Sequence, residues 1–521
     1  GDMGYKVLLV EKEASVGGRM ILLSKVFPTL DCASCISGPK MSSTINHPNI
    51  TTKTYSEVAG IVRNKDGSFK ASVKEKARFV DTSICTGCQE CERACSVAVP
   101  DQFNANLAPR RAAYIPFPQA VPKKSVIERA GTSPCIGACP AGIKAHGYVS
   151  LTREGKYEEA FQLVLDATPL VGTLGRACYA PCESDCTRSA LEGPVPIRMI
   201  KRFIADEHYA KFDGPGLDQP VSNGHRIAIV GSGPAGLTAA WQLARQGYEV
   251  KIIEGRDQAG GFIRYAIPEY RLPNKVVDDD LSNLTALGVQ IECGTRVTDL
   301  QALKAEGWDA VILATGTQRA TRMDVPGEDA VGVQNALQFL EGPALGQAPD
   351  LAGRTVVVVG GGNVAMDAAR VARRLGAAAK VVYRRGREEM PCHHIEADDA
   401  EAEGATFEFL AAPVEVLTSG GQVRALKCVK MRLGSPDASG RRRPEPVAGS
   451  EYEIPCDMVV SAIGLGVDDV PFAQVAGADA SSRVKVDPKT LQTEVDWLFA
   501  AGDVTAGATD ITRAIGAGRR A

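Results

Sequence analysis

The chain has 521 residues, room for about three or four domains at roughly 150 residues each. A formal net charge of −3, with 23% charged and 6% aromatic residues, excludes a disordered tail and gives no electrostatic reason to expect nucleic acid or an anionic membrane as partner. No apolar run approaches the length of a membrane span and no signal peptide opens the chain, so a cytoplasmic protein without a membrane span is expected. Of the 15 cysteines, eleven fall within the first 186 residues, mostly in tight clusters. In a large chain without a secretion signal, such spacing reads as metal or iron–sulfur ligation rather than disulfides.

Tyr5 to Val10 is a short apolar strand ending at Glu11 and followed by Gly17-Gly18. It reads as the second strand of a dinucleotide-binding βαβ unit, with the carboxylate placed for a ribose hydroxyl. The first strand and its glycine turn belong upstream, and the closing IGAGRRA reads as an interrupted helix, so a piece of a longer polypeptide is expected.

Cys32-Ala-Ser-Cys35 is a C-x2-C pair that fits a redox disulfide, half a metal site or two buried thiols. Cys85, Cys88, Cys91 and Cys95 have the C-x2-C-x2-C-x3-C spacing of ferredoxin cubane clusters. Three of these thiolates can wrap one cube. The fourth ligand is Cys95, Cys32 or Cys35, and zinc is the alternative metal. Ser96 stands where proline usually follows such a run.

The next group is Cys135-x3-Cys139-Pro140, then an amphipathic helical stretch, then Cys178-x3-Cys182-x3-Cys186. The helices should bring the two groups together. Five cysteines suffice for one [4Fe–4S] cluster and not for two, and which four bind stays open. Cys293, Cys392, Cys428 and Cys456 are isolated and read as small hydrophobes, and His393-His394 lacks partners for a metal.

The strand Arg226 to Gly231 runs into Gly231-Ser-Gly233-Pro-Ala-Gly236, then a helix, then a strand ending at Glu254. Strand, glycines, helix and a carboxylate at this distance form a dinucleotide-binding unit. The glycines admit the pyrophosphate, and the helix N-terminus meets its charge. A second unit starts at Thr355, with Gly360-x-Gly362-x-x-Ala365. Its second strand ends in Tyr383-Arg384-Arg385 instead of a carboxylate, which points toward a 2′-phosphate and hence NADP rather than NAD. The turn-rich 212–225 reads as a linker. The polar stretch GSPDASGRRRPEPVAGSE reads as a surface hairpin or loop of the nucleotide domain, and its Arg441-Arg442-Arg443 run, beside acidic residues, as solvated.

The stretch FPTLDCASCISGPKM, with CTGCQECERACSVAVPDQFN and AAYIPFPQAVPKK, resembles the heterodisulfide reductase A subunit over about residues 1–124. That resemblance implies a partial flavoprotein segment (1–80) carrying a ferredoxin-like cluster segment (81–124). From about residue 130 onward, the paired Cys groups, Gly260-Gly261-Phe262-Ile263-Arg264-Tyr265, IPEYRLP and YRRGREEMP resemble the glutamate synthase small subunit and dihydropyrimidine dehydrogenase. The implied architecture is α/β: two Rossmann-like dinucleotide-binding domains, the NAD(P) domain (346–455) inserted in the FAD domain (224–345 and 456–521), after a helical iron–sulfur domain (125–211).

By position, the resemblance assigns Gly231, Gly233, Ala235, Glu254, Gly261, Arg264 and Asp503 to FAD, with Thr512 near the flavin ring. It assigns Gly360, Gly362, Asn363, Val364, Arg384 and Arg385 to the nicotinamide nucleotide. Lys201 falls where two-cluster members of the family have a Gln or Glu ligand, so one cluster is expected in this domain and two in the chain. The resemblance implies an iron–sulfur flavoprotein subunit passing electrons between NAD(P)H and ferredoxin, or iron–sulfur redox subunits of a larger complex, via FAD and [4Fe–4S] clusters. That complex would be 2-oxoacid:ferredoxin oxidoreductase-like or heterodisulfide reductase-like. Hydride transfer needs no acid–base side chain, so no catalytic residue is nominated. The alternatives are a bifurcating subunit with a second FAD on the N-terminal segment, or a docking scaffold.

Overall fold

The computed structural model describes residues 1–521 except 96, 130, 213, 437–439, 468–476 and 478–482. It divides into two units, Gly1–Thr132 and Ser133–Ala521. The expected ferredoxin-like proline variant at Ser96 lies outside the described residues.

In the first unit, the strand Val7–Val10 pairs in parallel with Ile50–Lys53. Glu11, expected at a ribose, accepts instead from the Glu13 N–H at 3.0 Å. The boundary placed at 80/81 does not separate two bodies. Val16, Ile21 and Met41 share one small core with Ile115, Phe117 and Ala120. The Ser15 hydroxyl and the Val121 backbone also bond reciprocally at 2.8–3.1 Å. Segment 81–124 is therefore part of the same unit, because its apolar residues complete a core the first 80 residues cannot close alone.

The second unit begins with the helices Ala145–Arg153, Tyr157–Leu165, Val171–Ala177 and Ile197–Tyr209, packed around Tyr148, Phe161, Leu165 and Ile204. Two five-stranded parallel sheets follow. The first runs Gln290–Glu292, Glu249–Ile253, Arg226–Val230, Ala310–Leu313, Leu498–Ala500. The second runs Val333–Asn335, Met458–Ser461, Thr355–Val359, Ala378–Tyr383, Thr406–Phe409. Their central strands are unbroken runs such as TVVVV, the composition of strands covered on both faces.

The inserted domain is larger than the sequence boundaries 346–455 implied. Val333–Asn335 and Met458–Ser461 both belong to its sheet, and the antiparallel pair Arg319–Ala320 with Leu465–Gly466 marks where the chain crosses in and out. Val333–Asn335 is a three-residue edge strand and Met458–Ser461 a four-residue strand between it and Thr355–Val359, too short to carry a periodic signal of their own. Of the two readings for the polar stretch, hairpin or loop, the strands show the hairpin, since Arg442–Pro446 pairs antiparallel with Gln422–Pro436.

One buried carboxylate ties the helical domain to the first sheet. Asp280, on the helix Asn274–Ala286, accepts from the N–H groups of Gly172 (2.8 Å) and Thr173 (2.7 Å) and from the Tyr209 hydroxyl (2.6 Å). It thereby satisfies orphan donors at the N-terminus of Val171–Ala177, the helix that leads into Cys178. Replacing Asp280 by alanine leaves those donors buried without a partner, and is expected to cost of order 2–5 kcal/mol in denaturant unfolding. Among the described residues, no helix is long and apolar enough to cross a membrane.

Candidate active site

The first glycine turn joins Arg226–Val230 to the helix Pro234–Ala244. Gly231 has φ +105°, and a Cβ there would lie 2.5 Å from the Ala314 carbonyl oxygen. Gly233 differs: a Cβ there would meet nothing within 4 Å. The second turn repeats the division. Gly360, φ +145°, would place a Cβ 2.4 Å from the Ala462 carbonyl, whereas Gly362 faces open space. The first glycine of each pair thus serves the chain's own packing, and the second leaves room for something else. Each helix starts from that second glycine, with no side chain capping its first N–H groups. An open, uncapped helix N-terminus behind a glycine suits a pyrophosphate, so both cradles fit a dinucleotide.

Gly231, Gly233, Ala235, Glu254, Gly261 and Asp503 line one cavity of 540 Å³. Glu254 is turned toward the first turn: its carboxylate accepts from the Ser232 N–H (2.9 Å) and hydroxyl (2.5 Å) and from the Arg256 N–H (2.9 Å). Asp503 accepts from the Thr509 N–H and hydroxyl, and burial raises its pKa above the ordinary carboxylate range.

Two expected flavin contacts sit elsewhere. Arg264 is buried with its guanidinium on the Ala259 carbonyl (2.6 Å) and paired with Asp278, so it braces the Gly260-Gly261 turn against the neighbouring helix. Thr512 is buried and donates to Asp510 at 2.6 Å. Asp510 and Ile511 reach the cavity from that helix N-terminus, and Thr512 does not. Position in a motif could not distinguish a side chain facing the ligand from one facing the adjacent helix.

Gly360, Gly362, Asn363, Val364, Arg384 and Arg385 line a second cavity of 1370 Å³. Arg384 is exposed on it, while Arg385 is buried and donates to the Arg442 carbonyl at 2.8 Å. Arg441 and His393, set aside in the sequence, line this cavity too. Arg441 stands at the start of the returning arm of a local hairpin, Arg442–Pro446 against Gln422–Pro436, and its polar surroundings gave no sign that this arm borders the cavity. The His393 N–H donates to the Asn363 carboxamide at 2.9 Å, fixing the start of the helix Asn363–Arg374. The two cavities share Tyr179, Leu337, Asn363, Val364, Leu465, Thr509 and Asp510. They are therefore contiguous, as transfer between two bound dinucleotides requires.

The cysteines gather beside the first cavity. Cys135, Cys139, Cys178 and Cys182 all face the buried Tyr148 closely enough for their charge to act on its hydroxyl, whose pKa is raised chiefly by burial. Burial pushes the Cys182 thiol up to about 12, and the Lys201 ammonium acts on it in the opposite direction. Cys186 stands apart, half-buried at the start of the turn Thr187–Ala190. Ala177 and Tyr179, which flank Cys178, line the first cavity. The helix Ile511–Gly518 closes the same corner, since a Cβ on Gly516 would meet the Pro140 carbonyl at 2.3 Å and one on Gly518 the Ala235 carbonyl at 2.1 Å. The Cys139-Pro140 turn and the first glycine-turn helix are thus held by one element.

In the first unit, Ser125 gathers part of the ferredoxin run. Its N–H reaches Cys85 Sγ at 3.4 Å, and its hydroxyl lies 3.4 Å from Cys91 Sγ. That N–H is the main cause of the lowered Cys85 pKa. Cys88 is exposed and Cys95 half-buried, its thiol toward the Val97 carbonyl. Cys32 and Cys35 are exposed beside one another at the start of the helix Ala33–Ile45. Among the described residues, no three Cys, His, Asp or Glu side chains converge closely enough to hold a single metal ion. All-thiolate donors are what a cluster takes, and a four-iron cube spaces them more widely than one ion does. Cys428 and Cys456 are core residues, as expected.

Two parallel dinucleotide-type sheets with contiguous cavities, and a four-thiol group against one of them, define a flavoprotein oxidoreductase with an attached iron–sulfur domain. Residues 225–520 match the pyridine nucleotide-disulphide oxidoreductase family, and the chain belongs to it. Residues 127–212 match dihydropyrimidine dehydrogenase domain II, the 4Fe-4S cluster domain. FAD, NAD(P) and a [4Fe–4S] cluster are accordingly its cofactors.

Among relatives, the chain is 41% identical over 417 residues to the NADP(+)-dependent formate dehydrogenase subunit beta of Moorella thermoacetica, covering 75% of this chain and 59% of that one. It is 38% identical to the NADPH-Fe(3+) oxidoreductase subunit beta of Geobacter sulfurreducens, covering 75% and 62%. To the glutamate synthase [NADPH] small chain of Escherichia coli it is 32% identical, covering 75% and 87%. The chain spans about six tenths of the length of the first two. Among solved structures, FprA of Mycobacterium tuberculosis in complex with NADPH superposes with a TM-score of 0.47 at 22% identity, covering 56% of this chain and 83% of that one.

Proposed function

We propose that this chain is the nicotinamide-linked subunit of a larger redox assembly, passing electrons between NADPH and an iron–sulfur partner through FAD and [4Fe–4S] clusters. The observation that carries the reading is the position of Ala177 and Tyr179: the residues flanking Cys178 form a wall of the cavity that holds the first glycine turn. FAD, when bound, takes a hydride as an electron pair and releases electrons singly. The chain's part is to bring the two dinucleotides together in contiguous cavities and to set Cys178 between two residues, Ala177 and Tyr179, that line the first of them. Cys135, Cys139, Cys178 and Cys182 are the ligand set we assign to the near cluster, because Cys178 and Cys182 share one buried core with Tyr148, Cys135 and Cys139 pack against it, and Cys186 lies outside that core. Cys85, Cys88, Cys91 and Cys95 would hold a second cluster in the first unit, the outlet toward ferredoxin or a redox subunit. A complex like that of the formate dehydrogenase or NADPH-Fe(3+) oxidoreductase relatives agrees with this arrangement, as do the 2-oxoacid- and heterodisulfide-reductase-like assemblies that the sequence implied.

Arg384, Arg385 and Arg441 on the second cavity favour NADP, since guanidinium groups match a 2′-phosphate. Arg384→Ala is expected to weaken NADPH by about 2 kcal/mol, roughly 30-fold, and to leave NADH unchanged, read by stopped-flow bleaching of the flavin. Anaerobic NADPH reduction followed by EPR tests the route. Reduced-cluster signals that follow flavin bleaching support it, and a flavin that bleaches with the clusters left oxidised refutes it.

A further inference from the structure

Lys201 lies in the middle of the helix Ile197–Tyr209 and is only 4% exposed. Burying an ammonium is costly unless something negative answers it. Among the described residues no carboxylate forms an ion pair with Lys201. Glu183, the acid whose charge reaches Cys182, accepts the Arg198 N–H at 2.7 Å and forms no ion pair with Lys201. The neighbouring cation Arg198 is turned to the Cys178 carbonyl, 3.1 Å away, not to a thiol. What Lys201 faces is the Tyr148 ring, with Nζ 6.0 Å from its centroid, and the Cys182 thiol, which its charge reaches, sits in the same buried cluster as that ring. A face-on aromatic ring contributes about 0.5–2 kcal/mol to a cation, too little to hold a buried one. The missing negative charge must come from the thiol group itself, once its sulfurs are thiolates.

We propose that Lys201 is the resident counter-charge of the cluster held by Cys135, Cys139, Cys178 and Cys182: a non-ligating positioning residue that raises the cluster's reduction potential. The inference rests on the ligand set assigned above. Its physics is simple. An amine that is protonated has no lone pair to give to iron, so Lys201 acts through space. Reduction adds one negative charge to a thiolate-bound group already net negative, and a buried cation stabilises the reduced form more than the oxidised one. In a pocket screened from water that difference is large, because net charge is among the main determinants of cluster potential. A higher potential makes this cluster a ready acceptor for single electrons from the adjoining flavin cavity.

Lys201→Met and Lys201→Arg in the full chain test the idea, with iron content and the cluster's midpoint potential from an EPR-monitored redox titration as readouts. Methionine keeps the volume and apolar stem and removes only the charge. The expected result is full iron content in both variants, a midpoint shifted to lower potential in Lys201→Met, and one near the parent's in Lys201→Arg. Iron lost from Lys201→Met but retained in Lys201→Arg also supports a role of charge. An unshifted midpoint in Lys201→Met overturns the proposal, as does loss of iron from both variants, which would mark Lys201 as a ligand or a packing element. A wrong ligand set shows separately. Cys182→Ser would then leave the cluster's iron and EPR signal intact in a protein with the parent's Lys201.

Discussion

Gly231→Ala and Gly233→Ala should fail in different ways, although they sit two residues apart in one turn. Gly231 has φ +105°, where an L-residue pays of order 1–3 kcal/mol in conformation alone. Its new methyl would also sit 2.5 Å from the Ala314 carbonyl, on a buried strand end that cannot retreat. The variant is expected to unfold at lower denaturant and to be purified without flavin. Gly233→Ala meets no atom of the chain within 4 Å and needs no unusual backbone, its φ being −70°. That protein should fold with the parent's stability and still lose FAD, because the methyl takes the space left for the pyrophosphate. Denaturation midpoints and flavin absorbance at about 450 nm read both quantities on the same samples. A Gly233→Ala protein that keeps its flavin would show that the open space is not the phosphate cradle. The same contrast is expected at Gly360 and Gly362, with NADPH binding in place of FAD.

This split between the two glycines was invisible in the sequence, where both are simply letters of one motif. The motif did locate both turns, because a strand, a glycine turn and a helix are each written in adjacent residues. Contiguous signals of this kind gave the two dinucleotide-binding units, while the insertion of one nucleotide domain in the other came only from the family resemblance. What failed was non-local. The strands Val333–Asn335 and Met458–Ser461 are short, and only their neighbours in the sheet make them strands. Arg264 and Thr512 fell in the right segments, yet their side chains turn to Asp278 and Asp510. Arg441 was read as solvated because acidic residues stand beside it, and a hairpin could be read there without saying that this arm borders the second cavity. The buried surroundings of Lys201 depend likewise on three helices meeting. In the sequence Lys201 stood out only as the residue at the family's Gln or Glu position.

Breaking the contact between Arg271 and Asp367 is expected to slow flavin reduction more than any other substitution outside the glycine turns. Tyr270 and Arg271 belong to the IPEYRLP segment of the first nucleotide domain, while Asp367, Arg370 and Arg374 lie on the helix that starts at the second glycine turn. Arg271 bonds Asp367 at 2.5 Å and Glu396 at 2.9 Å, and Tyr270 lies under the guanidinium groups of Arg370 and Arg374. Burial alone would push the Arg271 pKa down, and the two carboxylates more than reverse it. Arg271→Met therefore strands Asp367 as a buried charge, a loss of about 3–5 kcal/mol.

The functional cost follows from where that charge sits. Asp367 is four residues from Asn363, which lines both cavities, so a shift of this helix displaces one dinucleotide against the other. Misplacement by about 1 Å costs of order 10²-fold in rate. Stopped-flow reduction by NADPH should show that loss, with the binding of NADPH changed far less. Arg271→Met combined with Asp367→Asn should recover part of it, since the double variant leaves no lone charge.

The acid limb of the pH profile supplies an independent check. Burial raises Asp367 from 3.8 to about 6, against the pull of Arg271. The native state then binds the proton more tightly than the unfolded chain does. This group's contribution to stability is therefore greatest below about pH 4 and falls as pH rises through 6, opposite to an ordinary paired carboxylate. The ion pair itself exists only above that pKa. Flavin reduction should consequently rise through pH 6 in the parent and stay flat there in Asp367→Asn. A parent-like inflection surviving in Asp367→Asn would assign it to another group.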